Sequence, residues 1–197
     1  MARSPDPAVR VALIEASARL LATDGLAALS IRRVATEVGT STMAVYTHFG
    51  GKDELVQEVV REAFDRLDAE LRSVGRTDDP VTDLVRTGQA YRRNALANAH
   101  LYRVMFGLNP LGQTDPATMS GLEDDATRGL DAYQALVDAV ARCVDAGAVD
   151  GDPRHLALQV WAMAHGVVSL ELAGFLGDHG ADTFDATARS LFLGLGR

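Results

Sequence analysis

The sequence predicts an all-α protein of about nine helices, and three observations carry that prediction. Apolar residues recur at helical spacing along most of the chain. No segment alternates with the period of two that a half-buried strand requires. Asp6-Pro7 and Asp152-Pro153 mark helix starts, because proline suits the first helical position, where its missing amide would be unpaired anyway. With 197 residues the chain can bury one or two cores, and 47% hydrophobic with 23% charged residues places it among globular proteins.

In chain order, the first six residues read as a disordered arm ending on the cap Asp6. Val11, Ile14, Ala18, Leu21 and Ala22 give the first helix a core face, and Gly25 stops it. Ser30 caps the second helix, whose Ile31, Val34, Ala35 and Val38 form one apolar stripe. Gly39 follows where a left-handed residue would end it. Ser41 caps the third helix, and Val45 and Phe49, four apart, anchor its inner face. Its outer face holds Thr42, Met43, Tyr46 and Thr47, with no acid among them. This is the layout of a helix-turn-helix whose second helix enters the major groove of DNA.

A fourth helix spans Lys52 to about Arg72, with Leu55, Val56, Val59, Val60, Ala63, Phe64, Leu67 and Leu71 at helical spacing. At about 20 residues it is roughly 30 Å long, enough to link a head to a second domain. Ser73 to Pro80 reads as a loop, followed by helices from Val81 to about Asn98 and from His100 to Phe106. A loop is expected through Asn109-Pro110 to Asp115-Pro116, then a helix ending near Gly147. A long helix from Pro153 to about Phe175 and a last one from Phe184 to Leu195 complete the chain. The expected division is a helix-turn-helix head over residues 7–52 and a second helical domain over 53–197.

Gly39-Thr40-Ser41, Tyr46-Thr47-His48-Phe49 and Gly51-Lys52-Asp53-Glu54-Leu55 resemble the DNA-binding signature of TetR-family transcriptional regulators. Two departures are visible: Thr40 replaces a commoner Val, and Gly50-Gly51 loosens the junction before Lys52. Trp161, His165 and Gly166, with Leu101–Gly107 before them, resemble the C-terminal subclass named for its Trp-His-Gly motif. That second resemblance implies an effector-binding, dimerising domain.

The net charge of −8 divides unevenly, +2 through Lys52 and −10 beyond it. Phosphate would repel an acidic protein, so DNA binding requires the basic groups to gather on one face. The TetR resemblance implies phosphate contacts from Tyr46 and from Lys52, the only lysine. Ser30 and Ser41 are helpers at helix N-termini, where free amides face an anion. His48 adds a donor, and Arg33 serves as a phosphate or solvent contact. Base reading falls to Arg32, Thr42, Met43 and Thr47: arginine grips guanine, and threonine or methionine packs on thymine methyls. Ala44 is small enough to let the backbone approach.

On the long C-terminal helix Trp161, His165, Val168, Leu172 and Phe175 share one face. Val160, Met163, Ala164, Val167, Leu170 and Gly174 share the other. A helix apolar on both sides meets a cavity or core with one and a partner subunit with the other. Tyr91, Tyr102, Met105 and Phe106 are the expected cavity partners of Trp161, His165, Val168 and Leu172.

The functional expectation is a homodimeric repressor released from a palindromic operator by a small, largely apolar effector. The alternative is an architectural DNA-binding protein without an effector. An enzyme is not expected: His48, His100, His155, His165 and His179 lack zinc-ligand spacing, and no nucleophile motif or phosphate loop occurs. No cofactor or metal is called for. No apolar run is long enough to cross a bilayer, and no signal-peptide layout is present. The single Cys143 excludes an intrachain disulfide framework and fits a reducing cytoplasm, as a buried apolar residue and not a redox sensor.

Overall fold

The structure is a computed structural model that describes residues 6–107 and 123–195. The expected arm, apart from Asp6, and the expected loop from Asn109 to Pro116 lie outside those residues. Among the described residues there are nine α-helices and no strand. They are α1 (Pro7–Asp24), α2 (Ile31–Val38), α3 (Thr42–Phe49), α4 (Lys52–Arg72), α5 (Pro80–Ala97), α6 (Ala99–Gly107), α7 (Glu123–Asp145), α8 (Pro153–Leu172) and α9 (Gly180–Leu195). Short 3-10 turns occupy Leu26–Ala28 and Gly177–His179.

The helix starts follow from their caps. An Asp6 carboxylate oxygen accepts from the Ala8 amide at 2.9 Å, and Asp152 accepts from the His155 amide at 3.1 Å. Three expectations are corrected. The long helix α8 stops at Leu172, not Phe175, because Gly174 takes a left-handed φ of +82° and turns the chain out. Phe175 therefore lies beyond the helix and is 79% exposed. The last helix starts at Gly180, four residues before Phe184, continuing directly from the 3-10 turn. Val11 is exposed and not part of the core. Helix α1 packs against both α2 and α6, burying Leu13, Ala16 and Leu20 besides Ile14, Ala18 and Leu21. Val11 falls on the remaining strip with Glu15 and Arg19.

The chain divides into two compact units. Among the described residues the first comprises 6–66, 98–107 and 123–127, and the second 67–97 and 128–195. In the first, Leu13, Ile14, Leu29, Val34, Val45, Leu55 and Val59 are almost fully enclosed, so the helix-turn-helix rests on a packed core. Arg66 braces α4 against α1 through Glu15 at 2.6 Å and is held by Glu62 at 2.8 Å on its own helix.

In the second unit Leu84, Val137, Val140, Cys143, Val149, Leu156, Ala157 and Val160 form one apolar cluster. Cys143 is buried there and its thiol donates to the Pro80 carbonyl at 3.3 Å. Burial pushes the thiol above its usual pKa and disfavours the reactive thiolate. The loop before α5 is tied down by the buried Asp83, which accepts from the Thr77 amide and hydroxyl, both at 2.8 Å. Arg142 on α7 closes this knot, donating to Asp83 at 2.9 Å and to the Thr77 carbonyl at 2.6 Å. No described helix is long and apolar enough to cross a membrane.

Candidate nucleic-acid interface and effector region

The turn between α2 and α3 is built by local sequence. Ser30 accepts from the Arg33 amide at 3.2 Å and Ser41 from the Ala44 amide at 3.1 Å, so each helix begins on a satisfied cap. Gly39, at φ +72°, reverses the chain, and its amide returns to carbonyls of α2's last turn. Val45 and Phe49 then pin α3 inward at 0% and 7% exposure.

With that side pinned, the outer face of α3 projects away from the core. Met43 is 69% exposed and Tyr46 51%, values far from those of buried apolar groups. Thr42 and Thr47 are exposed beside them, and the Thr47 hydroxyl donates to the Met43 carbonyl at 2.8 Å. His48 is half-buried, its ring 5.9 Å from that of Phe49. Ala44 is half-buried on the same helix.

The cations differ in their engagements. Arg33 is ion-paired with Asp24, whose carboxyl is held below its ordinary range by that arginine's hydrogen bond. The Lys52 ammonium donates to the Leu26 carbonyl at 3.0 Å, tying α4 to the 3-10 turn. Arg32 is exposed, and its guanidinium makes no ion pair among the described residues. Arg19 carries no functional signal in the sequence. It donates to Glu37 at 2.9 and 2.6 Å, joining α1 to α2 and neutralising the acid of α2. No sequence signal announces a pair 18 residues apart; only the packing of α1 on α2 brings it together.

The residues considered for effector binding divide between the units. Tyr102, Met105 and Phe106 belong to the first, where Tyr102 and Met105 are buried and the Tyr102 and Phe106 rings lie 4.9 Å apart. In the second unit the Tyr91 hydroxyl stands 3.2 Å from Nδ1 of His165. Trp161, 36% exposed, meets the His165 ring edge-on at 6.3 Å and the Tyr133 ring at 6.0 Å. Tyr133, unremarked in the sequence, is itself held by the Arg154 carbonyl at 2.8 Å. Burial lowers the His165 pKa below its ordinary value, which favours the neutral imidazole. Val168 is fully buried and Leu172 half-buried on the same helix.

A separate apolar groove of about 410 Å³ lies between α5, α8 and α9. Val160, Met163 and Ala164 line it from α8, and Phe184, Ala188 and Phe192 from α9. None of the eight residues expected to bind effector lines this groove. The described residues contain no cluster of His, Cys, Asp and Glu suited to a metal ion.

The chain is similar to known proteins in both halves. Residues 84–193 match the family described as "Tetracyclin repressor-like, C-terminal domain", and residues 13–59 match "Bacterial regulatory proteins, tetR family". An HTH-type transcriptional regulator of Mycobacterium tuberculosis, Rv0681, is 31% identical over 177 residues, covering 88% of this chain and 74% of that protein. The HTH-type transcriptional repressor DrrR1 of Streptomyces coeruleorubidus is 34% identical over 131 residues, covering 61% of this chain and 43% of the repressor. Among solved structures, the TetR family transcriptional regulator PfmR of Thermus thermophilus superposes with a TM-score of 0.74 at 24% identity. That match covers 94% of this chain and 99% of PfmR.

Proposed function

The chain belongs to the TetR family of bacterial regulatory proteins, and from that premise we propose that it is a homodimeric repressor released from a palindromic operator by a small, largely apolar effector. It is a transcriptional regulator and not an enzyme, as its family and relatives are. The observation that carries the finer reading is the outer face of α3. Met43 and Tyr46 stand exposed on a helix that is capped, pinned by Val45 and Phe49, and free of acidic side chains. A helix so presented fits the major groove.

In this reading residues 7–52 form the head, and residues 53–197 bind effector and dimerise. Tyr46, His48 and Lys52 hold phosphate, with Ser30, Ser41 and Arg33 beside them. Lys52 can keep the Leu26 carbonyl and still donate, because an ammonium has three hydrogens. Arg32, Thr42, Met43 and Thr47 face the bases. Two heads would bind half-sites roughly 34–36 Å apart, one helical turn.

A second copy of the chain would cover the exposed side of α8. Leu158, Ala162, Gly166 and Leu170 recur there at four-residue intervals, all exposed, with small residues in the middle that permit close approach. Within the second unit, Tyr91, Trp161, His165, Val168 and Leu172 are the proposed effector contacts. A neutral His165 bonded to a tyrosine hydroxyl suits an uncharged, largely apolar molecule. Release requires the effector to bind two arrangements of the dimer differently. The protein would act in the cytoplasm.

The test is a salt-titrated binding assay on the DNA flanking the gene, with a random duplex as control. Sequence-specific, salt-sensitive binding that is lost in Tyr46→Ala or Lys52→Ala is expected. Equal affinity for both duplexes would instead fit an architectural protein, and no binding at low salt would overturn the DNA-binding role.

A further inference from the structure

Resting on the reading of α3 as the recognition helix, we infer that α3 reads the operator through thymine methyl groups and not through hydrogen bonds to bases. Val45 and Phe49 hold the inner side of α3. At about 100° per residue, Met43 and Thr47, four apart, lie opposite them and form the pole that enters a groove deepest. Thr42 and Tyr46 flank that pole on one side, Ala44 and His48 on the other.

The pole presents almost no donor. A threonine hydroxyl carries a single hydrogen, and that of Thr47 is committed to the Met43 carbonyl at 2.8 Å. Its γ-methyl is the part of the side chain left to face outward. The Met43 thioether has no hydrogen to donate and is at best a weak acceptor. The Thr36 hydroxyl on α2 donates to the Arg32 carbonyl at 2.8 Å, and Ser41, whose oxygen accepts from the Ala44 amide at 3.1 Å, stands at the cap before α3 and not on the pole. Thr42, beside the pole on the first turn of α3, carries a γ-methyl of its own next to a hydroxyl that makes no hydrogen bond among the described residues.

What the pole offers is apolar volume, and the fold gives no reason for it. Met43 is 69% exposed and packs into no core. Among the groups that base pairs display in the major groove, the C5 methyl of thymine is the apolar one. Seating the thioether and the Thr47 methyl against it removes both surfaces from water. Arg32, on α2, remains the group able to grip a guanine at the edge of the same contact.

The experiment begins by selecting duplexes from a random pool with the full-length protein. Each thymine of the selected half-site is then replaced by deoxyuridine, which removes one methyl and keeps every base-pairing hydrogen bond. One such replacement should weaken binding about fourfold, the equivalent of one buried methyl group. The same replacement should be silent in Met43→Ala, while Met43→Leu keeps the sensitivity. Met43→Gln should shift the preferred base at that position toward adenine, which glutamine grips in the major groove. The side chain is exposed, so these variants should melt with the parent, and a thermal melt verifies it. The inference is overturned if no thymine responds to loss of its methyl, or if the response persists undiminished in Met43→Ala. A pool with no enriched sequence would overturn the recognition-helix premise itself, an outcome distinct from enriched duplexes that ignore the methyl.

Discussion

The Tyr91 hydroxyl on α5 stands 3.2 Å from Nδ1 of His165 on α8, and the Trp161 ring meets the imidazole edge-on, with centroids 6.3 Å apart. The contact joins helices 74 residues apart in sequence and places a titratable ring where burial opposes its charge. A neutral histidine bonded to a phenol is the polar centre of an otherwise apolar helix face.

That relationship sets a pH dependence. The folded pKa of His165 lies below its ordinary 6.5, so just under that pH the unfolded chain binds the proton more readily. Stability therefore falls as the pH drops from 6.5 toward the lowered folded value. Melting curves between about pH 7.5 and 5.5 should show a steeper loss in the parent than in His165→Gln. Parallel curves would mean that the ring protonates freely in the fold.

A second window belongs to the knot around Asp83. The Thr77 amide and hydroxyl, and then Arg142, hold this carboxyl down to about 2, against an ordinary 3.8. The sign is that of a depressed acid: its contribution is complete above 3.8 and vanishes as the pH falls toward 2. Acid unfolding followed by circular dichroism should begin at higher pH in Thr77→Val than in the parent. Asp83→Asn should lower the melting point at neutral pH as well, because Arg142 then faces a neutral partner.

Arg92 and Glu171 form a forked pair between α5 and α8, with bonds of 2.8 and 2.5 Å and side chains 20% and 14% exposed. Partial burial makes such a charge-assisted pair worth more than a surface one. Glu171→Gln should cost about 1–3 kcal/mol in urea unfolding. In a double-mutant cycle with Arg92→Met the double variant should lose less than the sum of the two single losses, and a coupling near zero would show the pair to be incidental.

Ser41 carries the start of α3. Ser41→Ala removes the acceptor for the Ala44 amide and should cost about 1 kcal/mol of stability. It should also weaken DNA binding more than Thr36→Ala, whose hydroxyl bonds within α2, because the cap orders α3, the proposed recognition helix. Equal DNA affinity in the two variants would show that the first turn of α3 is not needed.

Arg32 and Lys52 should behave differently on DNA. Arg32→Ala should cost about 1–3 kcal/mol of binding and relax specificity at one base pair. Lys52→Ala should weaken every duplex alike and reduce the salt slope by about one. Binding isotherms at several salt concentrations separate the two outcomes.

The head was legible because its signals are local. Asp6, Ser30, Ser41 and Asp152 cap helices by reaching amides two or three residues away, and Gly39 turns the chain by its own backbone freedom. Val45 and Phe49 are buried because they lie four apart on one short helix, and spacing alone decides which side that is. Val11 departs from its expected place in the core for the opposite reason: α1 is enclosed on a broad side by two neighbours, so its exposed strip depends on where α2 and α6 lie. Helix α8 ends three residues before the expected Phe175 because the apolar spacing continues through Gly174, where the backbone has already turned.

By itself, then, the sequence determined the helices, their caps, the turn of the DNA-binding head and the family, all of which depend on neighbours within a few residues or on a contiguous motif. Only the tertiary structure decided which charges are already engaged. It pairs Arg19 with Glu37 and Arg33 with Asp24, and leaves Arg32 exposed and without an ion pair among the described residues. It also joined Thr77 to Asp83 and Arg142, Arg92 to Glu171, and Tyr91 to His165, and opened the groove between α5, α8 and α9. These contacts join different elements, and a side chain's partner across such distances is set by how helices pack, which periodicity within a single helix does not encode.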